Sequence, residues 1–499
     1  MKLVLLFLLV FVLCSALHGY NGSLESIGEL QVVNLWGTWD EMGYAHGRML
    51  GPELMELYQG YFLELAGGLS NVEILRSNFS TYFTVPAEFR EYAAGIIEGA
   101  SDTISIWSPV YGRELDTLDI YITSSVPDLS AMVDMPMLLC SSASSWGEAT
   151  AGDVVLQGSP AVSRNLDYYV DHEGSILEMS RVFVFDPALG HDWVSISFPG
   201  FMGSLSGMNE TGINATLNMG NYQGTYQTAS PFVPICMALT LGLCLEDFDQ
   251  SGTHDMEDLT SAVTFWNRSN SYDIHITGPA GLSSGDPAVV AEVNNQKGTA
   301  IRYSTDEPSI APYSLLLTNH HRVLYPPVSC YRYQMLMDSL TANPDVSLER
   351  LWSFMGAVGY TPVPGDGGTL QTMIFQPEER RIGLAFASEG ISAPDKDPQW
   401  IEWTDLYPNH FPQGMPPETG SAHFRLTQNP VGSVLSVFTE TGTDVSIKLF
   451  DLNGREIDTR WIESSAGVFR AVVSELPRSV YILRVRQGTM VGASQVLLI

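Results

Sequence analysis

The spacing of hydrophobic and polar residues changes along the chain, and in the first third it predicts helices. Thr38 and Glu41 have the spacing of a capping box, and apolar residues recur at helical intervals over 42–65. Residues 86–105 repeat that helical spacing. The segment 20–139 is therefore predicted to be an α-rich N-terminal region or a propeptide.

Short runs rich in β-branched residues and bounded by glycine or proline follow, and each predicts a strand. Two apolar segments with helical spacing, 234–247 and 256–267, interrupt these runs. Alternating groups of helices and strands are typical of layered α+β domains, so 140–405 is predicted to be such a domain. The predicted strands are 154–158, 161–165, 181–185, 193–197, 212–218, 272–277, 288–293, 299–304, 314–318, 371–375 and 381–387.

The amino end of the chain is typical of a secreted protein. Lys2 precedes an apolar stretch that runs to Leu13, and small residues follow, which predicts a signal peptide over 1–19. A lipoprotein anchor through Cys14 is the alternative. No later stretch approaches the roughly 20 apolar residues that a membrane span requires, so we predict no transmembrane segment and expect a secreted or cell-surface protein.

Composition predicts a second, smaller domain at the carboxyl end. A linker at 406–425, rich in proline, precedes the segment 426–499, in which short alternating strands recur. That segment carries seven acidic and seven basic residues, so the whole formal charge of −32 lies upstream of it. A charge of this sign repels phosphate backbones, and nucleic acid is therefore excluded as a partner.

The cysteines do not indicate a disulfide framework. Cys236 and Cys244 fall in one predicted helix, about 12 Å apart along its axis, which is too far for a disulfide bond. We interpret these two residues and Cys330 as small apolar residues of the core. Cys140 differs, because serines and alanine follow it and charged residues lie shortly downstream.

Cys140 has the surroundings of a nucleophile. If the Leu139-Cys140 bond is cleaved, the new α-amine, with an unperturbed pKa of about 7.7 to 8.0, can accept the proton of the thiol on the same residue. Arg164 can favour the thiolate and Asp167 can orient the amine. Because residues three apart on a strand point to opposite faces, we expect the strand to break near Leu166. A buried structural cysteine is the alternative.

Four motifs in the same order resemble the N-terminal-nucleophile cysteine hydrolases. They are 140–146, the Arg-Asn-Leu-Asp run 164–167, the Gly-Met-Asn-Glu-Thr-Gly run 207–212 and the Thr-Asn-His-His run 318–321. Within that superfamily the chain is most similar to the acyl-coenzyme A:6-aminopenicillanic acid acyltransferase-like peptidase family, over roughly residues 30 to 390. Choloylglycine hydrolases and acid amidases are more distant relatives. The resemblance implies a four-layer αββα sandwich.

The resemblance also implies roles for further residues. It makes Cys140 both the self-cleaving residue and the nucleophile, and it makes Asn218 and Asn319 candidates for the oxyanion donors, each typically worth about 3 to 4 kcal/mol. Arg332 resembles a family arginine near the substrate, and Tyr168 is a second candidate for substrate binding. His320 and His321 receive no role.

The C-terminal segment resembles the sorting domain of the type IX secretion pathway, a small immunoglobulin-like β-sandwich. Asn429-Pro430, the Asp-Leu-Asn-Gly-Arg turn 451–455 and the last strand, 496–499, carry the resemblance. It implies that the type IX secretion machinery is a partner. A plain β-sandwich adhesion module is the alternative.

One acidic loop has the spacing of a calcium site. Its ligand positions would be occupied by Asp247, Asp249, Ser251, Thr253 and Asp258, with a glycine at the sixth position. An acidic connection between two helices is the alternative. Any calcium would be structural, because thiol acyl transfer requires no cofactor.

These patterns together predict a secreted, self-processing cysteine amidohydrolase or acyltransferase that acts on a small amide or acyl compound. A lipid deacylase similar to the phospholipase B-like relatives is one alternative. A surface or adhesion protein with an inactive version of the fold is another.

Overall fold

A computed structural model describes most of the chain. The described residues are 20–136, 139–220, 231–245, 247–306, 310–407, 424–426, 434–439, 445–450, 455–457, 459–465, 468–473, 476–477, 479–487 and 490–497. The predicted signal peptide, nearly all of the linker, Asn429-Pro430 and most of the 451–455 turn lie outside these residues.

Helices and strands alternate in groups along the described chain, as the sequence predicts. The helices are α1 (Trp39–Glu56), α2 (Leu63–Leu65), α3 (Leu69–Tyr82), α4 (Ala87–Ser101), α5 (Thr117–Thr123), α6 (Ile235–Cys244), α7 (Met256–Phe265), α8 (Tyr331–Ala342), α9 (Leu348–Val358) and α10 (Trp403–Leu406), and a π-helical segment, Leu57–Phe62, joins α1 to α2. The strands up to the linker are β1 (Gly22–Ile27), β2 (Leu30–Gly37), β3 (Trp107–Ser108), β4 (Arg113–Glu114), β5 (Leu139–Ser145), β6 (Ala161–Tyr169), β7 (Arg181–Pro187), β8 (Trp193–Ser197), β9 (Ser206–Asn209), β10 (Asn214–Met219), β11 (Ser271–Thr277), β12 (Ala288–Asn294), β13 (Gly298–Arg302), β14 (Ser314–Leu317), β15 (Gly367–Gln376), β16 (Arg381–Phe386) and β17 (Gln399–Glu402).

Two large sheets organise the domain. The first has nine strands in the order β1-β2-β7-β8-β9-β10-β11-β12-β13, and the second has six in the order β14-β5-β6-β15-β16-β17. Neighbouring strands are antiparallel except for β2 and β7, which are parallel. The N-terminal region therefore contributes β1 and β2 to the nine-stranded sheet, and the prediction of an α-rich region missed both strands.

The sheets pack face to face and helices cover their outer faces. Val182 and Val194 of the nine-stranded sheet share one apolar cluster with Val162 and Phe375 of the six-stranded sheet. Leu336 of α8 and Phe354 of α9 pack on the opposite side of the six-stranded sheet, while α1, α4, α6 and α7 belong to the cluster that covers the nine-stranded one. The order helix, sheet, sheet, helix confirms the predicted α+β class.

The capping box at the start of α1 is confirmed. Glu41 donates its main-chain N–H to the Thr38 hydroxyl at 3.3 Å, and its carboxylate accepts the N–H of Thr38 at 2.8 Å. Glycines then bring α1 close to α4. A Cβ at Gly47 would lie 1.9 Å from the carbonyl oxygen of Ile96, and a Cβ at Gly99 would lie 2.0 Å from that of Tyr44. Side chains at these positions are excluded by the neighbouring backbone.

One predicted strand is wrong. Residues 154–158 form turns, because the Asp153 carboxylate accepts the main-chain N–H groups of Val155 and Leu156 at 2.8 and 2.9 Å and so folds the segment back on itself. Val154 is 84% exposed, and Gln157 has a φ of 48°. A local side-chain bond therefore overrides the strand propensity of the valines.

The C-terminal segment contains two four-stranded sheets in its described part. Leu435 and Val437 of one sheet share an apolar core with Leu449 and Leu483 of the other. The strands are β18 (Phe424–Leu426), β19 (Val434–Thr439), β20 (Val445–Phe450), β21 (Glu456–Ile457), β22 (Ile462–Ser465), β23 (Val468–Val472), β24 (Val480–Gln487) and β25 (Met490–Leu497), ordered β18-β19-β23-β22 and β21-β20-β24-β25. Its resemblance to a sorting domain stays a prediction. In the described part of the chain, no helix combines the length and hydrophobicity that crossing a membrane requires.

Candidate active site

Cys140 lies at the beginning of β5, in the second strand of the six-stranded sheet. Its side chain is fully buried, whereas the preceding Leu139 is 43% exposed. The Leu139-Cys140 bond therefore lies where the chain passes from the surface into the space between the sheets. Cys140 pairs with Leu166 of β6, so side chains at even-numbered positions near it on both strands face the nine-stranded sheet.

Arg164 contacts the sulfur of Cys140 directly. One Nη atom of the guanidinium lies 3.4 Å from Sγ and donates to it, and the same atom donates to the Leu217 carbonyl at 2.8 Å. The other Nη donates to the hydroxyl of Ser206 at 2.6 Å. Two strands of the opposite sheet thus hold the cation beside the thiol, as expected for a group that favours thiolate.

Asp167 lies on the other face of β6, and the expected break in the strand near Leu166 is wrong. The strand continues from Ala161 to Tyr169, and the irregularity lies in its partner β15, between Thr369 and Gln371. The extra residue is accommodated by β15, because β6 pairs regularly with β5 on its other edge.

Asp167 nevertheless takes part in the site from its own side. Its carboxylate accepts the hydroxyl of Thr369 at 2.6 Å and a guanidinium N–H of Arg332 at 3.3 Å. Its main-chain N–H donates to the sulfur of Cys140. Asp167 therefore reaches the nucleophile through its backbone and through Arg332.

The nitrogen of Cys140 is bound by a predicted site residue. Its N–H donates to Oδ1 of Asn319 at 3.0 Å, and Nδ2 of Asn319 donates to the Met219 carbonyl at 3.0 Å. Cleavage before Cys140 would turn this nitrogen into an α-amine that already faces a hydrogen-bond acceptor. Asn218, the other amide candidate, donates to the Thr318 carbonyl at 3.0 Å. Each asparagine therefore donates to the main chain next to the other one.

Arg332 holds the main chain of the nucleophile. One Nη donates to the Cys140 carbonyl at 2.7 Å and to the Ser141 hydroxyl at 2.8 Å, and the other donates to Oδ1 of Asn319 at 2.7 Å. The sequence predicts Arg332 as a substrate-binding residue. The structure places its donors on Cys140, Ser141, Asp167 and Asn319, and substrate binding by Arg332 stays a prediction.

Burial dominates the protonation of the site. It raises the pKa of the Cys140 thiol, an effect that Arg164 and Arg332 oppose and the Asp167 carboxylate adds to. Burial also raises the pKa of Asp167 to about 6, against the attraction of Arg332. The thiol of the uncleaved chain is therefore predominantly protonated at neutral pH and requires a base.

His275 of the nine-stranded sheet contacts β5 through both of its ring nitrogens. The two ring nitrogens of His275 bond the hydroxyls of Ser142 and Ser144, each at 2.8 Å. Burial lowers the pKa of His275 to about 3, so its imidazole stays neutral and fully bonded. Both ring nitrogens of His275 are therefore occupied by serine hydroxyls of β5.

An apolar cavity of about 70 Å³ adjoins the site. Tyr168 lines it and lies two residues beyond Leu166 in β6, on the face of the six-stranded sheet that also carries Cys140. Leu205 lines it next to Ser206, the hydrogen-bond partner of Arg164. The Tyr168 hydroxyl is buried and accepts or donates no hydrogen bond among the described residues. The rest of the lining is Leu54, Leu57, Tyr58, Tyr61, Phe62, Leu65, Thr123, Val126, Pro127, Ile176, Phe198, Pro199 and Phe201.

The acidic loop brings three of its aspartates together. Asp247, Asp249 and Asp258 each place a carboxylate oxygen within 4.8 Å of the others. Burial and the neighbouring Asp258 raise the pKa of Asp247 to about 6. The hydroxyls of Ser251 and Thr253 bond each other at 2.8 Å. Calcium binding by this loop stays a prediction.

Two residues near the Asn319 loop, His321 and Asp273, receive no role from the sequence motifs. Nδ1 of His321 lies 2.6 Å from Oδ1 of Asp273, and both side chains are fully buried. His321 ends the Thr-Asn-His-His run 318–321. Asp273 lies in the buried strand β11, where a charged residue is unusual. That polar position was the signal available in the sequence.

Comparisons with solved structures find the Caenorhabditis elegans ortholog of N-acylethanolamine-hydrolyzing acid amidase, which is 14% identical with a TM-score of 0.36, over 52% of this chain and 100% of that one. Penicillin V acylase from Agrobacterium tumefaciens is 13% identical with a TM-score of 0.33, over 54% and 88%. A variant of conjugated bile acid hydrolase from Clostridium perfringens is 10% identical with a TM-score of 0.31, over 53% and 93%.

Two curated proteins are similar in sequence. An uncharacterized protein of Archaeoglobus fulgidus is 28% identical over 214 residues, which are 38% of this chain and 32% of that protein. Protein dcd1B of Dictyostelium discoideum is 28% identical over 223 residues, 41% of this chain and 42% of that protein. The chain thus matches less than half the length of either relative. No family model matches the chain.

Proposed function

We propose that the protein is a self-processing cysteine amidohydrolase or acyltransferase with Cys140 as its nucleophile. One observation carries the proposal: the sulfur of Cys140 lies 3.4 Å from the Arg164 guanidinium, while the nitrogen of the same residue lies 3.0 Å from Oδ1 of Asn319. Nucleophile, cation and amine acceptor are therefore assembled around one residue.

The chemistry follows from that arrangement. After the Leu139-Cys140 bond is hydrolysed, the free amine takes the proton of the thiol, and the sulfur attacks the acyl carbonyl carbon. The C–N bond of the substrate breaks, its nitrogen leaves with the proton from the amine, and a thioester remains on Cys140. Water or an acceptor amine then attacks the thioester, and the proton released returns to the sulfur.

The acyl part of the substrate is proposed to be apolar. The cavity that Tyr168 and Leu205 border is lined almost wholly by aliphatic and aromatic side chains, and burial of such surface is favourable by about 25 cal/mol per Å². The hydroxyl of Tyr168, which has no hydrogen-bond partner among the described residues, is the polar group of the lining proposed to contact the substrate. Tyr168 is therefore kept as the substrate-binding candidate.

The N-terminal region is proposed to remain part of the mature enzyme. Strands β1 and β2 lie in the nine-stranded sheet, and Leu54 of α1 lines the cavity. Removing 20–139 would strip two strands from the sheet and one wall from the cavity. We therefore favour a retained region over a discarded propeptide.

Secretion is proposed from the sequence alone. A signal peptide over 1–19 and a sorting domain over 426–499 would take the protein across both membranes of a bacterium through the type IX secretion machinery. Immunoblotting of culture medium and cell surface, with and without residues 426–499, tests this. Retention inside the cell by both forms would contradict it.

A lipid deacylase is the second candidate, because an apolar cavity beside a thiol suits the acyl chain of an ester as well as that of an amide. Profiling hydrolysis of paired amides and esters with the same acyl group separates the two. Release from esters only would favour the deacylase.

The central test is intact-mass measurement of the purified protein. We expect a fragment that begins at Cys140 in the wild type and an uncleaved chain in Cys140→Ala. Incubation of the cleaved protein with an acyl p-nitroanilide should add the acyl mass to that fragment. The matched control is Cys236→Ala, which removes another buried thiol and should leave both results unchanged. A chain that stays intact and unlabelled would reduce the protein to a non-catalytic binding role.

A further inference from the structure

Four charged side chains form a buried network behind the Asn319 loop. Nδ1 of His321 lies 2.6 Å from Oδ1 of Asp273 and 3.9 Å from Oε2 of Glu292. Nε of Arg302 lies 3.2 Å from Oε1 of Glu292. All four side chains are completely excluded from solvent. They come from β11, β12, β13 and the loop after β14, so four separate segments meet in this network.

The network is balanced in charge. Asp273 and Glu292 supply two negative charges, and Arg302 with a protonated His321 supplies two positive ones. Glu292 is satisfied further by the main-chain N–H groups of Arg322, Val323 and Leu324, at 2.7 to 2.9 Å. Asp273, Glu292 and His321 also have the mutual spacing of a metal site. Because Arg302 already neutralises Glu292, we assign no metal ion to them.

The network adjoins Asn218 and Asn319, and Asn319 accepts the N–H of Cys140. His321 is two residues from Asn319, and Asp273 is the cross-strand partner of Asn218. On its other side the ring of His321 bonds the hydroxyl of Ser271 at 2.7 Å and packs closely against Gly220, where a Cβ would lie 2.7 Å from the ring. Gly220 follows Met219, whose carbonyl accepts from Asn319.

We propose that Asp273, Glu292, Arg302 and His321 form a positioning network that fixes the Asn319 loop against the nucleophile strand while His321 carries its proton. The inference rests on the proposed cysteine chemistry, because Asn319 acts through the nitrogen of Cys140. Removing one partner of a buried ion pair is strongly destabilising, so loss of the His321 charge would weaken the hold of the network on the Asn319 loop.

The direction of the pH effect follows from the groups around His321. Burial alone lowers the pKa of His321, but Asp273 and Glu292 together raise it above its ordinary value, with Arg302 opposing them. The ring also stacks on Tyr325, 5.6 Å between centroids, and the Lys297 ammonium lies over that tyrosine. Deprotonation at higher pH would leave two carboxylates against one guanidinium. Asn319 is then released, and activity falls on the alkaline side.

The test compares Asp273→Asn with the wild type over pH 5 to 9, using enzyme shown by mass to begin at Cys140. In Asp273→Asn the imidazole can lose its proton and keep the network neutral, so the variant is expected to fold. We expect kcat to fall about tenfold with KM within about twofold, because the Asp273–His321 ion pair is lost, and we expect the alkaline limb to disappear, because loss of the His321 proton no longer unbalances the charges. The matched control is His191→Gln, which breaks another histidine–carboxylate pair of 2.6 Å outside the site and should follow the wild-type profile.

Ser271→Ala provides a second variant in case Asp273→Asn does not fold. It keeps all four charges and removes only the hydroxyl on the far side of the His321 ring, and kcat should fall about threefold. Unchanged kcat and pH profile in whichever variants fold overturn the network proposal alone. Wild-type protein that neither cleaves before Cys140 nor forms a thioester would overturn the proposed function as well.

Discussion

Arg164 and Asp167 leave the same strand on opposite faces, and both reach Cys140. The Arg164 guanidinium lies 3.4 Å from the sulfur on the inner face of the sheet. The Asp167 carboxylate lies on the outer face and is connected to the Cys140 carbonyl through Arg332, at 3.3 and 2.7 Å. The two side chains therefore act on Cys140 from opposite faces of the sheet. Arg164 affects the sulfur and Asp167 affects the main chain, so separate substitutions can distinguish the two effects.

Replacing Arg164 should weaken the thiolate. In Arg164→Met the sulfur loses its nearest cation while the buried hydroxyl of Ser206 loses a partner, so we expect kcat/KM to fall by about a hundredfold or more. The rate of alkylation of Cys140 by iodoacetamide, followed against pH, should report a higher thiol pKa. Arg381→Met, at a partly exposed ion pair with Glu402, is the control. Equal reactivity in the two variants would rule out the cation's role.

Asp167 should set the acid limb of the pH profile. Its pKa of about 6 means that the carboxylate charges only above that pH, and the ion pair with Arg332 forms with it. Activity should therefore rise as pH increases through 6. Because the folded-state pKa is raised, the ionisation of Asp167 also lowers stability as pH rises from about 4 to 6.

The variant Asp167→Asn separates these effects. It should lower kcat at every pH, abolish the acid limb near pH 6 and reduce the dependence of the melting temperature on pH between 4 and 6. Kinetics and thermal unfolding across that range measure both. An acid limb that persists near pH 6 in the variant would assign it to another group.

Local patterns in the sequence predict the parts of the fold that depend on neighbours in the chain. The capping box at Thr38 and Glu41 is confirmed, and helices α4, α6 and α7 begin and end within a few residues of their predicted bounds. Cys140, Arg164 and Asn319 converge as the motifs indicated. These features are encoded by spacing or by short motifs.

Features that depend on distant segments were not predictable. The strand β2 pairs in parallel with β7, about 150 residues away, and nothing in its local pattern indicates that partner. The irregularity that we expected near Leu166 lies in β15, because two strands in contact can accommodate an extra residue on either side. The His321 network draws on four segments, so no single motif contains it.

The hydroxyl of Tyr168 should matter for substrate binding and not for stability. It is buried without a partner among the described residues, so Tyr168→Phe should leave the free energy of unfolding unchanged or raise it by about 1 kcal/mol. If the hydroxyl contacts the substrate, Tyr168→Phe should raise KM more for an amide with a polar group on its acyl chain than for the same amide without that group. Leu205→Trp, which fills the same cavity, should impair both substrates. A variant Tyr168→Phe with both KM values unchanged would remove Tyr168 from the substrate site.

The contact between α1 and α4 should tolerate no side chain at Gly47. A Cβ there would lie 1.9 Å from the carbonyl of Ile96, so Gly47→Ala should destabilise the protein by about 1 to 3 kcal/mol or more. Gly60→Ala is the matched control, since no atom lies within 4 Å of its Cβ position. The control should be neutral or slightly stabilising. Urea unfolding of both variants measures the difference, and a Gly47→Ala variant as stable as Gly60→Ala would show that the contact with Ile96 does not exclude a side chain.

Calcium should stabilise the loop that contains Asp247, Asp249 and Asp258. Three carboxylates crowded within 4.8 Å repel one another, and a divalent cation would relieve that repulsion and lower the pKa of Asp247 from about 6. We expect the melting temperature to rise with millimolar calcium chloride and the rise to disappear in Asp249→Asn. Asp286→Asn, at an acidic residue outside the loop, should keep the full response. The alternative predicts that calcium leaves the melting temperature of the wild type unchanged, while Asp249→Asn melts at a higher temperature than the wild type because one repelling charge is gone. That result would identify the loop as an acidic connection between two helices.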